Sequence, residues 1–161
     1  MDIPEHLRIP EDFIERLQKP SGFRDAIEHG KSLQDIIGYS DELMQKLYQS
    51  ALEVFHERRF RESADGFLFL TTLNPYVYAY WMGLGMSQQH LEEYEQAILA
   101  YECATSADPD APQPHFYLAA CHLFMNEKGE GRLHLMAAKQ KCVGVHAPFI
   151  DKVHEAEERF R

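Results

Sequence analysis

An all-α solenoid of three tandem helix–turn–helix repeats is the fold this sequence predicts. Three observations predict it: the chain resembles itself at an offset of 34 residues, each copy carries apolar residues at helical spacing, and proline closes two of the copies. Shifting by 34 places Ala51 over Gly85 over Ala119, Phe67 over Tyr101 over Leu135, and Leu70 over Ala104 over Ala138. Phe60 falls on Tyr94, and Pro75 falls on Pro109, with Val143 at the third position. Small residues land on small and bulky on bulky, which is what stacked units need when each buries its face only against the next.

The second copy is the fullest, with Trp81, Leu84, Gly85, then Tyr94, Ala97, Tyr101, Ala104 and Pro109. The pattern W-x-x-L-G, followed by A-x-x-x-[FY]-x-x-A-x-x-x-x-P, is the tetratricopeptide signature at its own period. Trp81, Leu84 and Gly85 make a stripe at i, i+3, i+4 on one helix, and Ala97, Tyr101 and Ala104 a matching stripe on the next. The pair approaches closely at Gly85 and Ala97, Tyr101 fills the gap alongside, and Pro109 stops the second helix. The flanking copies have Leu47 and His115 where Trp81 stands, and Ser63 and Gly131 where Ala97 stands. The reading gives three helix pairs, roughly 44–75, 78–109 and 112–143, with turns near 57–60, 91–93 and 126–131 where Asn, Gly and charge collect. Residues 41–146 thus hold three tandem tetratricopeptide repeats.

A stack of this kind exposes apolar surface at both ends and calls for caps. Residues 147–161 follow with Phe149, Ile150, Val153 and Ala156 at helical spacing, which predicts a C-terminal capping helix. At the other end Ser40 is the expected N-cap of the first repeat helix, with Asp41 and Glu42 in its first turn. Residues 1–40 read as an N-terminal helical arm. It carries Phe13, Ile14 and Leu17, then Phe23, Ala26, Ile27, Leu33, Ile36 and Ile37, and is broken at Pro20-Ser21-Gly22 and at Gly30. Such an arm caps the stack or pairs with a second copy of itself.

Composition sets limits on partners. With 16 Lys+Arg against 26 Asp+Glu the formal charge is −10, which repels nucleic-acid phosphate and anionic membrane surfaces. The densest basic spot, Arg58, Arg59 and Arg61, is flanked by Glu57 and Glu62 and reads as a solvated turn. Cys103, Cys121 and Cys142 are odd in number and lack a C-x-x-C pattern, which fits a reducing cytoplasm. The N-terminal stretch has neither the cationic start nor the apolar run of a signal peptide. The uncharged run from Tyr76 to Met86 is about half a membrane span. No membrane insertion is expected.

The chemical constellations fail on inspection. G-L-G at 83–85 lacks the third glycine of a dinucleotide loop, since Gln88 stands there. His115, His122 and His134 lie near Cys121 in a suggestive group, but separations of 7 and 12 residues build no i, i+4 ligand pair. Helix-embedded cysteines offer nothing that would lower a thiol pKa for nucleophilic work. Met82, Met86, Met125 and Met136 read as core or groove filler. The sequence therefore predicts no catalytic residue, cofactor or metal.

What remains is the concave surface, lined by the first helix of each pair. Its inward positions are Tyr48, Leu52 and Phe55 in the first copy, Met82, Met86 and Gln89 in the second, and Phe116, Ala120 and Leu123 in the third. Spacings of 4 and 3 put each trio on one helical face, apart from Ala51, Gly85 and Ala119. A groove this apolar would favour an extended segment with spaced hydrophobic or proline side chains and would need no terminal charge.

The run GKSLQDIIGYSDELMQKLYQSALEVF, the turn ERRFRESADGF, and the stretch WMGLGMSQQHLEEYEQAILAYECATSADPDAPQPHFYLAACHL resemble the class II chaperones of bacterial type III secretion, the LcrH/SycD kind. The resemblance covers roughly residues 30–143. It implies a bacterial cytoplasmic protein, a homodimer formed through the N-terminal arm, and binding of hydrophobic translocator proteins by a short extended segment held in the groove. Tyr48, Leu52 and Phe55 match the family's groove pattern L-Y-x-x-A-[LF]-x-x-[FY]. Arg59 stands where the family tends to have glycine, before the aromatic of the first turn. The alternative from another class is a scaffold or adaptor whose repeats organise folded partners in a secretion or envelope complex.

Overall fold

The computed structural model describes residues 28–142 and 147–159, together with Arg8 and Ala26. Among the described residues the elements are helices: α1 Leu33–Ile37, α2 Asp41–His56, α3 Phe60–Leu73, α4 Tyr78–His90, α5 Tyr94–Ala107, α6 Gln113–Phe124, α7 Lys128–Lys141 and α8 Ala147–Arg159. From α2 onward each packs chiefly on its neighbours in the chain, so α2/α3, α4/α5 and α6/α7 stack as three tetratricopeptide repeats. Of the N-terminal arm, Phe13, Ile14, Leu17, Phe23 and Ile27 lie outside the described residues.

The start of the stack is fixed by local hydrogen bonds. Ser32 and Asp35 form a reciprocal capping box on α1, and Gly38 ends that helix at φ 87°. Gln34, buried, donates to Asp41 Oδ1 at 2.7 Å and accepts from Asn74 Nδ2 at 2.8 Å, tying α1 to the start of α2 and the end of α3. Ser40 caps α2 by accepting from Leu43 N, as its sequence position predicts.

The 34-residue period is written in the backbone as well. Arg58, Glu92 and Asn126 have positive φ of 63°, 61° and 64°, and each closes the first helix of its repeat. The residue after each donates five back: Arg59 N to Val54 O at 3.1 Å, Glu93 N to Gln88 O at 3.0 Å, Glu127 N to His122 O at 2.8 Å. This is the Schellman closure, whose left-handed position glycine fills best and asparagine tolerates. It also explains a difference from the sequence reading. The third turn ends at Glu127, and Gly129 and Gly131 lie inside α7, because Asn126 already supplies the left-handed residue. Gly131 is buried at the position where Ala97 stands in the second repeat. Left-handed backbone costs a non-glycine residue roughly 1–2 kcal/mol, partly offset by glycine's larger unfolded entropy. Arg58→Gly is therefore expected to stabilise the protein by roughly 0.5–1 kcal/mol, a rise in Tm of roughly 1–4 °C by thermal melting.

Helix packing uses the small residues twice. A Cβ on Gly85 would sit 2.6 Å from the Tyr101 ring, and one on Gly83 would sit 2.3 Å from the Phe67 ring. Phe67 and Tyr101 are fully buried. Gly85 thus admits the partner helix of its own repeat, while Gly83 admits the last helix of the repeat before. The sequence reading gave Gly85 this role against Ala97, and the Tyr101 ring is what fills the contact. Trp81 donates its indole N–H to Pro75 O at 2.7 Å, which anchors the entry of α4. Ser87 Oγ donates to Gly83 O at 2.8 Å and lies 3.0 Å from Ser63 Oγ, so the small polar residues buried between the first two repeats are satisfied.

At the far end Val153 is buried against Leu135, Ala138 and Cys142, with Phe149, Ile150 and Ala156 around it. Lys139 pairs with Glu157 across the same contact. The apolar face read from residues 149–156 is the face that α8 lays on α7. No helix among the described residues is long and apolar enough to cross a membrane.

Candidate peptide-binding groove

A pocket of about 540 Å³ opens where the three repeats meet on the side of their first helices. Phe55 contributes from the end of α2, Met86, Gln89 and His90 from α4, and Tyr117 and Phe124 from α6. Glu92, in the turn, and Tyr94, which starts α5, complete it.

Two aromatic walls frame the pocket, and they are copies of each other. Phe60 and His90 stack with centroids 4.3 Å apart and planes 5° apart, and Phe55 meets both edge-on at 5.4 and 5.5 Å. Thirty-four residues on, Tyr94 and Phe124 stack at 5.1 Å and 6°. In each case the ring that starts a second helix stacks on the ring that ends the first helix of the following repeat. The walls are therefore inter-repeat joints as well as lining, which ties the shape of the pocket to the curvature of the stack. Offset or parallel ring contacts of this kind contribute about 0.5–1.5 kcal/mol beyond area burial.

The floor is polar at one point. Tyr101, stacked on Tyr117 at 5.3 Å, donates its hydroxyl to Gln89 Oε1 at 2.8 Å. Burial pushes that phenol far above the ordinary tyrosine range, so it stays a donor at any working pH. With Oε1 engaged, the amide nitrogen of Gln89, a residue that lines the pocket, has no hydrogen-bond partner among the described residues. That donor suits a main-chain carbonyl of an extended segment. The groove is thus less uniformly apolar than the sequence suggests, since Gln89, His90 and Glu92 reach it.

The nine residues read from the sequence divide into three groups. Phe55, Met86 and Gln89 line the pocket. Tyr48, Leu52 and Ala120 are half-buried on the faces of α2 and α6; Tyr48 meets Phe67 at 6.0 Å and Tyr80 at 5.6 Å, and Leu52 packs on the same cluster. Met82, Phe116 and Leu123 do not line this pocket. Met82 is buried with Ala97, Tyr101, Leu118 and Cys121, because close packing at Gly83 and Gly85 draws that turn of α4 into the core. Phe116 meets Phe149 of α8 edge-on at 5.5 Å, and Leu123 packs on the cluster beneath α8. In α6 the pocket-facing residues are instead the next ones along, Tyr117 and Phe124. The arrival of the capping helix claims the face that earlier repeats leave open.

The chemical alternatives can be placed as well. Burial pushes all three cysteine thiols up, Cys121 to about 12, so none is an activated nucleophile. No group of three His, Cys, Asp or Glu side chains among the described residues is arranged to hold a metal ion.

No family model matches the chain. Chaperone protein SicA of Salmonella typhimurium is 29% identical over 108 residues, which is 67% of this chain and 66% of that protein. The matched region thus spans just under two thirds of the curated relatives' length. Among solved structures, a type III secretion complex from Aeromonas hydrophila superposes with a TM-score of 0.82 at 21% identity, covering 85% of this chain and 93% of that one. The Yersinia enterocolitica translocator chaperone SycD superposes with a TM-score of 0.77 at 22% identity, covering 81% and 98%. The chain has the helical-repeat fold of these type III secretion proteins. In this fold the stretch from α2 to α7 holds every pocket residue.

Proposed function

We propose that the protein is a non-enzymatic chaperone whose groove holds a short extended segment of hydrophobic type III secretion translocators, keeping them soluble and unassembled before export. The observation that carries this reading is the pocket itself. It draws residues from all three repeats, its walls are paired rings, and its lining includes Gln89, whose amide nitrogen is left as a donor for a main chain. Two proteins of this fold support the reading: PcrH was solved with the chaperone-binding region of PopD, at a TM-score of 0.74 and 23% identity, and SycD with a peptide of the translocator YopD, at 0.69 and 22%. The net charge of −10 keeps a complex with an apolar client soluble. The site of action is the bacterial cytoplasm, and the working form is a homodimer that pairs through the N-terminal arm.

Co-expression with a hydrophobic type III secretion translocator provides the test. The chaperone reading expects the client to be soluble and to co-purify, with little loss between low and high salt, because apolar contacts dominate. If the protein is instead an adaptor for folded partners, binding would survive groove substitutions and fall steeply with salt.

A further inference from the structure

Outside the pocket, three histidines gather at the joint between α6 and α7. His134 of α7 lies between two residues of α6: its ring stacks on His122 at 5.3 Å and 6°, and on His115 at 5.7 Å and 27°. His115 Nδ1 and His134 Nδ1 are 3.4 Å apart, a separation at which one neutral ring donates to the other. Two imidazolium ions cannot share that contact, since both nitrogens would then be donors. We propose that this stack is a proton-operated latch: neutral, it joins α6 to α7; protonated, it drives the two helices apart and loosens the third repeat.

The surrounding charges do not neutralise it. Helix α6 has no acidic or basic residue besides its histidines. From α7, Lys141 acts on His115 and opposes its protonation, while Glu130 acts on His134. From α5, Glu102 acts on His134, and from the turn Glu127 approaches His122 Nδ1 at 2.8 Å. Helix α8 meets this region through Phe149, Ile150 and Val153, with His154 and Glu157 engaged toward Lys139. Burial holds both His115 and His134 below the ordinary histidine value, and that outweighs the carboxylates. A depressed histidine in the folded state means that the unfolded chain binds more protons. The contribution to stability is therefore present above about pH 6.5 and is lost as pH falls from there through the folded-state value.

The loss is local. Tyr117 and Phe124 stand on α6, so loosening this joint takes one wall from the pocket, and acidification would weaken the hold on a client; that consequence rests on the groove reading. The latch itself does not, and it can be tested without a client. Hydrogen exchange on the full-length protein, corrected for intrinsic rates, is expected to quicken about tenfold or more across 113–141 between about pH 7.5 and about pH 5.5, with 41–73 nearly unchanged. The chain has nine histidines, so a uniform response along the chain would point to the others and overturn the proposal. His134→Gln should abolish the local difference, and His115→Gln serves if the first variant does not fold. Retention of the pH response in a folded variant would overturn it, as would imidazole titrations by NMR that show no downward displacement for His115 and His134. Client retention at neutral pH tests the groove separately, so either idea can fail alone.

Discussion

Replacing Phe55 and Tyr117 together with alanine is expected to weaken the hold on a client segment by about a thousandfold, because truncating buried aromatic anchors at an interface centre costs about 2 kcal/mol each. The two stand on opposite sides of the pocket, Phe55 edge-on to the Phe60–His90 stack and Tyr117 against Tyr101. Each loss leaves the adjoining wall in place and removes the surface a client side chain would cover. Both residues are half-buried and also support inter-repeat packing, so a melting curve must accompany the binding measurement. A matched pair on the second helices, Leu99→Ala with Leu133→Ala, removes residues that are 62% and 61% exposed and should leave client retention unchanged. Equal loss from both pairs would show that binding follows general stability and not the groove.

The largest effect on stability is expected at the two close glycines of α4. Gly85→Leu or Gly83→Leu forces a side chain into the ring of Tyr101 or Phe67, neither of which can move without reopening the core. Overpacking of this kind costs on the order of 3 kcal/mol, which corresponds to a fall in Tm of roughly 6–12 °C. Alanine is the sharper probe. A glycine-to-alanine change in a helix interior gains about 1 kcal/mol of propensity where space is open. Gly129→Ala, where an added Cβ meets nothing within 4 Å, should therefore stabilise. Gly83→Ala and Gly85→Ala, with contacts of 2.3 and 2.6 Å, should destabilise despite the same propensity gain. Thermal melts that give all three changes the same sign would refute this packing account.

The repeat architecture was readable because a 34-residue period compares like with like: Phe67, Tyr101 and Leu135 align in sequence and each is buried at its joint. The turns were readable to within a residue or two for the same reason, except at 126–131. There two glycines suggest a long loop, yet the helix runs through them once Asn126 has taken the left-handed position. The pocket walls were harder to see. His90 and Phe60 touch across 30 residues, as do Tyr94 and Phe124, and a period shows which residues are equivalent but not which ones meet. Phe60 over Tyr94 was one half of that signal; the other half, His90 over Phe124, aligns an imidazole with a benzyl ring and does not stand out by type. The third-copy positions Phe116 and Leu123 keep the helical register, while α8 packs over that face of α6, which nothing within α6 records. Gly83 had no role in the tetratricopeptide pattern, and only the ring of Phe67, sixteen residues upstream, explains it.

The central claim is that the client lies in the groove formed by the first helices. A photo-crosslinking amino acid placed at Met86, inside the pocket, and separately at Leu99, on the outer face of α5, tests it in co-expressing cells. The groove account predicts a crosslink to the translocator client from position 86 and none from position 99. A crosslink from position 99 with none from position 86 would contradict it.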